Sequence, residues 1–130
     1  MIDGRVAHGK ALGRTIGVPT ANLPIPPGRV VPAYGVYAAI GYVEGDGQPH
    51  AGVANVGVRP TVENTISANC EVYIMDFKED LYGKTVTTEF MEFIRPERHF
   101  SDVQALVTAV GNDIQTAKQY FQTKKDISTL

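Results

Sequence analysis

From Gly9 to Asn22 the chain reads Gly-Lys-Ala-Leu-Gly-Arg-Thr-Ile-Gly-Val-Pro-Thr-Ala-Asn, with Gly9, Gly13 and Gly17 at four-residue spacing and little apolar to bury. Glycines take backbone angles closed to other residues and let a ligand approach the main chain, so successive amide N–H groups can converge on an anion such as a phosphate. Lys10 and Arg14 add positive charge to the same segment. Pro19 fixes the backbone just before Thr20 and Asn22, whose side-chain oxygens, two residues apart in an extended segment, fall on one side. Two neutral oxygens beside a polyphosphate suit Mg²⁺, which takes few protein ligands and completes its shell with phosphate and water. A glycine-rich surface connection that binds nothing is the plain alternative.

The segment is not a P-loop. Gly4 to Ala11 nearly spells G-x-x-x-x-G-K-[ST], but Ala11 replaces the hydroxyl that would hold the metal. Gly13, Gly17 and Pro19 would also spoil the helix that must follow.

A second candidate is Glu71, a carboxylate in mid-strand between apolar neighbours. Such a group either faces solvent, as an ordinary edge-face glutamate, or is held inside for a purpose. Arg95, beside Pro96, could pair with an anion or be solvated. His8, His50 and His99 lack metal-ligand spacing and read as surface residues.

Composition narrows the class. At 130 residues the chain reads as one domain, residues 1–130, long enough to bury roughly two thirds of its unfolded surface. Cys70 is the single cysteine, which excludes an intrachain disulfide and a cysteine-based zinc site and fits a reducing compartment, the cytosol. A net charge of −2 without a Lys/Arg run argues against nucleic acid. No apolar run approaches the roughly 18 residues of a membrane span, and the start has no signal-peptide pattern.

The elements that must position these residues follow in order. Residues 2–7 form a strand candidate leading into the glycine loop. Residues 23–28, with Pro24, Pro26 and Pro27, predict an irregular excursion ending near Pro32. Residues 35–43 and 51–56 predict a hairpin around a turn at 44–48, and a polar loop runs from Asn55 to about Ser67. Residues 69–75 form a strand whose alternation sets Cys70, Val72 and Ile74 on one face and Glu71, Tyr73 and Met75 on the other. Residues 84–93 are a last strand, strongly β in character, and residues 94–100 a charged loop. Val103, Leu106, Val107, Val110, Ile114, Ala117 and Phe121 recur at helical spacing, with Ser101 as N-cap and Gln104 three residues on. Five or six short strands followed by one helix predict an antiparallel sheet, most economically closed into a barrel.

Taken together, these residues resemble the riboflavin kinase family, in its single-domain form and in the C-terminal kinase half of bacterial bifunctional riboflavin kinase/FAD synthetases. The resemblance runs through Gly4-x-Val6-x-x-Gly9, residues 13–22, Gly35-Val36-Tyr37, Asn55 to Thr61, Glu71, Asp76-Phe77, Leu81-Tyr82-Gly83, Arg95-Pro96-Glu97 with Phe100, and Asp113. It implies a mainly β, six-stranded antiparallel barrel with a C-terminal helix, and transfer of the γ-phosphoryl of ATP to the ribityl 5′-hydroxyl of riboflavin, giving FMN and ADP. By the resemblance Thr20 and Asn22 hold Mg²⁺ and Glu71 is the base. Gly9, Lys10, Gly13, Arg14, Gly17 and Pro19 cover the nucleotide together with Thr20 and Asn22, and Arg95, Phe100 and Val103 meet the flavin. The chain departs from the family's pattern at Val18, where Phe is common, Tyr73, where His is usual, and Ile94, where Leu is usual.

The same resemblance fits one half of a bifunctional enzyme, with an FMN adenylyltransferase domain fused to this one in the full-length protein. A non-catalytic flavin- or nucleotide-binding barrel is the rival of another class, and it would not need Glu71. A nucleic-acid-binding barrel is disfavoured by the lack of a basic patch with interleaved aromatics.

Overall fold

The computed structural model describes residues 2–5, 20–25, 33–60, 66–75, 83–98 and 100–128, of which 2–5, 20, 58–60, 66–68 and 124–128 are described by backbone alone. Six strands, β1 (Ile2–Arg5), β2 (Thr20–Pro24), β3 (Gly35–Val43), β4 (Pro49–Pro60), β5 (Ile66–Ile74) and β6 (Thr85–Pro96), precede one helix, α1 (Val103–Ser128). The sheet is antiparallel with strand order β1-β6-β3-β4-β5-β2. The ladder is open between β1 and β2 among the described residues, so the hydrogen-bonded barrel expected from the sequence is not seen. The sheet nevertheless curls, because Cα atoms of these two outermost strands approach within 8 Å.

Period-two burial produces two cores from one sheet. Ala21, Leu23, Tyr37, Ala39, Ala54, Val56, Cys70, Val72, Ile74 and Val86 fill the inner face. Val36, Ala38, Val53, Tyr73 and Met75 face outward and pack on Val110, Ile114 and Ala117 of α1. The face assignment expected for residues 70–75 therefore holds.

Several boundaries differ from expectation. Of the expected Pro-rich excursion, Leu23 and Pro24 instead close the strand Thr20–Pro24, which is possible because β2 pairs with β5 alone among the described residues and a missing N–H costs little at such an edge; residues 26–32 lie outside the described residues. Asn55 does not begin a loop: β4 continues to Pro60 in unbroken register with β5, from Gly52↔Ile74 to Pro60↔Ile66. Ile94, Arg95 and Pro96 belong to β6, which accommodates two register shifts against β3, between Val36/Tyr37 and between Ala38/Ala39. Asp102, not Ser101, caps the helix: its Oδ1 accepts the Ala105 N–H at 2.7 Å. Val103 opens the helix 63% exposed and does not join the core.

Gly35 marks the tightest point of the fold. With φ +154° its backbone lies against the Phe93 ring, and a Cβ there would come within 2.6 Å of that ring and 2.7 Å of the Arg95 carbonyl. Only a glycine lets β3 start this close to the end of β6.

Candidate active site

Register assembles one row of side chains across five strands. Asn22 pairs with Glu71, Glu71 with Asn55, Asn55 with Val36 and Val36 with Arg95. Directly opposed residues point to one face with Cβ atoms about 5 Å apart. Their alternation with inner-core residues puts the row on the outer face, the face α1 covers at Val36 and Tyr73.

Asn22, Glu71 and Asn55 are thus immediate neighbours, an amide on each side of the carboxylate. Asn22 is 6% exposed. Glu71 is half-buried and accepts a hydrogen bond at Oε1 from the Tyr73 hydroxyl at 2.9 Å. Burial first, and the charge of Glu71 second, push the Tyr73 phenol well above its ordinary range, so it stays a donor. Asn55 presents a buried side-chain oxygen with no hydrogen-bond partner among the described residues. A buried acceptor left unmade costs about 1–3 kcal/mol, which a ligand donor would recover.

The far end of the row is built differently. Arg95 forks onto Asp113 of α1, Nε to Oδ1 at 2.9 Å and Nη2 to Oδ2 at 2.8 Å, and Nη1 reaches the Pro96 carbonyl at 3.2 Å. Asp113 is only 4% exposed. The Phe100 ring lies 5.7 Å from the Arg95 guanidinium and 4.9 Å from that of Arg98, so this cation braces strand, helix and the start of the following loop. Arg95 stands three strands from Glu71, roughly 14 Å along the sheet.

Of the residues singled out from sequence, Asn22 and Glu71 come together, and Thr20 lies in the same strand, its backbone in register with Tyr73. Arg95 and Phe100 form a separate cluster, and Val103 is exposed beyond it. Gly9, Lys10, Gly13, Arg14, Gly17 and Pro19 lie outside the described residues, as do Val18, His8 and His99. His50 is not a plain surface residue: Nε2 lies 2.5 Å from Asp46 Oδ2, with its side chain 13% exposed. Its hydrogen bond lowers the Asp46 carboxyl from the ordinary range. Asn55 is the site residue that sequence reasoning misses, because its signal, a polar residue amid β-formers, also suits the start of a loop.

Among the described residues no three His, Cys, Asp or Glu side chains cluster to hold a metal. The amide oxygen of Asn22 is a hard donor of the kind Mg²⁺ accepts in small number, with phosphate and water completing the shell, so the β2 end of the row fits that ion while Glu71 and Asn55 stand beside it. No helix among the described residues is long and apolar enough to cross a membrane.

Comparison with known proteins bears on the same segments. The family profile Flavokinase, riboflavin kinase, matches residues 1–121. The bifunctional riboflavin kinase/FMN adenylyltransferase of Pseudomonas fluorescens is 44% identical over 117 residues, 90% of this chain and 37% of that protein. Its namesake from Escherichia coli K12 is 43% identical over 125 residues, 95% of this chain and 39% of that protein. A crystal structure from Streptococcus pneumoniae, described as a macrolide-efflux protein, superposes with a TM-score of 0.74 at 37% identity, over 89% of this chain and 37% of that one. The chain spans less than two fifths of the length of these relatives. With a family match that covers β1 to β6 and most of α1, and with Asn22, Glu71 and Asn55 in one row, the chain belongs to the riboflavin kinase family.

Proposed function

We propose that the chain transfers the γ-phosphoryl of MgATP to the ribityl 5′-hydroxyl of riboflavin, with Glu71 as the base. The observation that carries this reading is the register Asn22–Glu71–Asn55, which sets the carboxylate between two amides on a partly covered face. Phosphoryl transfer asks mainly for positioning and charge neutralisation, and little covalent chemistry of the protein.

In this reading Thr20 and Asn22 would hold Mg²⁺, which would supply charge neutralisation for the transfer. The glycine segment, Lys10 and Arg14 included, covers the nucleotide. The Glu71 oxygen not engaged by Tyr73 accepts the proton of the 5′-hydroxyl late in the transfer, when that proton becomes acidic. Asn55 Oδ1 accepts from a ribityl hydroxyl and so orients the tail beside Glu71. Arg95 holds the Phe100 loop in place through Asp113 and Pro96, and Phe100 with Val103 offers apolar surface to the flavin ring.

The kinase activity resides in one domain, residues 1–130, with closure of the sheet near β1 and β2 as a barrel supported by their approach. The length of the relatives supports fusion to an FMN adenylyltransferase domain in a full-length protein. The test is incubation with riboflavin and MgATP and separation of products: FMN and ADP should appear in equal amounts, with a dependence on divalent metal, and no FAD. Tight flavin binding without ADP release would convert the reading to a non-catalytic barrel.

A further inference from the structure

We propose that Tyr73 is a positioning residue for Glu71, fixing the carboxylate through its hydroxyl and tying that alignment to the packing of the C-terminal helix. The inference rests on the assignment of Glu71 as base. Its physical basis is a chain of contacts. The Tyr73 hydroxyl donates to Glu71 Oε1 at 2.9 Å, and no other hydrogen bond to the Glu71 side chain is formed among the described residues, so one carboxylate oxygen is held and the other is left for substrate. Glu71 and Tyr73 are two residues apart on one face of β5, which brings the phenol alongside the carboxylate without distorting the strand.

What makes the contact more than a passing one is how Tyr73 itself is held. Its ring is 3% exposed, packed in the cluster that contains Val53, Met75, Val110, Ile114 and Ala117. Gly52 admits the backbone beside it, since a Cβ at Gly52 would lie 2.5 Å from the Tyr73 carbonyl oxygen. A ring clamped between sheet and helix has one direction for its hydroxyl, so the lone donor pre-sets the rotamer of Glu71. The charged groups near Tyr73 are Glu71 and, more weakly, Asp113. Both disfavour the phenolate and keep the proton on the donor.

A double-mutant cycle tests this. Tyr73→Phe keeps the ring and removes the donor, and kcat should fall about tenfold, the equivalent of one hydrogen bond to a charged group. KM for riboflavin and for ATP should stay within about twofold, since alignment of the base matters in the transition state. In a Glu71→Gln background the same change should cost less than about twofold, because the group it aligns has already lost its function. An equal tenfold loss in both backgrounds would overturn the proposal and assign Tyr73 to packing alone. Near-normal kcat in Glu71→Gln would instead defeat the assignment of the base. Should Tyr73→Phe fail to fold, Tyr73→His, which retains a ring N–H donor, takes its place in the cycle: kcat retained beside Glu71 supports the proposal, and a loss that persists in the Gln background overturns it.

Discussion

Two buried side-chain oxygens without hydrogen-bond partners among the described residues lie on opposite faces of the same sheet. Asn55 Oδ1 lies on the outer face beside Glu71, and Thr88 Oγ1 lies on the inner face in line with Val86. Both are unsatisfied in the same sense, yet their surroundings differ. Around Asn55 the register gathers a carboxylate and, one strand further, a second amide. Around Thr88 it supplies Gly41 and the β1 backbone. An unsatisfied polar atom therefore points to function only where neighbouring groups could share its ligand, and elsewhere it is a cost to stability.

The sharpest way to break this contrast is at the centre of the outer row. Glu71→Gln should lower kcat by roughly 10²–10⁴ while leaving riboflavin and ATP affinity nearly unchanged. Steady-state kinetics with both substrates decides it, and a normal kcat would reduce the outer face to a second structural surface.

Next in size is the brace at the row's far end. Arg95→Ala leaves the nearly buried Asp113 carboxylate without its fork and should cost about 3 kcal/mol in denaturant unfolding. Asp113→Asn in the same background should restore part of that loss, since the uncompensated charge is gone.

The two orphan atoms themselves give opposite expectations. Asn55→Ala should lower kcat/KM for riboflavin about tenfold, with no loss of unfolding stability in the free protein. Thr88→Val should leave kinetics untouched and raise stability by about 1 kcal/mol. If Asn55→Ala destabilises the free protein or spares kcat/KM, the two oxygens are alike and the distinction between the faces fails.

How much of this is legible in the sequence depends on the range of the interaction. The strand over residues 35–43, which has the bounds of β3, and the faces of residues 70–75 are both legible, because strand propensity and period-two alternation are local signals. The helix is legible from its repeat, but not its cap, since Ser101 and Asp102 are both good N-cap residues and only geometry chooses between them. Thr20 to Asn22 are legible as an extended segment, but Leu23 and Pro24 are not legible as its continuation, because a proline forbids a central strand while allowing an edge, and edge position is set by strand order, here β1-β6-β3-β4-β5-β2 among the described residues. The same non-sequential order hides the row. Asn22, Asn55 and Glu71 are far apart in the chain, and only the pairing of β5 with both β2 and β4 joins them. The Arg95–Asp113 pair, 18 residues apart, belongs to this class too.

Cys70, next to Glu71 but on the opposite face, is fully buried, and desolvation pushes its thiol up to about 12. At neutral pH the folded protein therefore presents neither access nor thiolate to an alkylating or disulfide reagent, whereas an opened chain presents both. Being the lone thiol of the sequence, it makes the protein its own clock for opening. The rate of labelling by a thiol reagent reads how often the inner face is exposed, and its slowing with added riboflavin or MgATP reads how firmly each ligand holds the sheet shut.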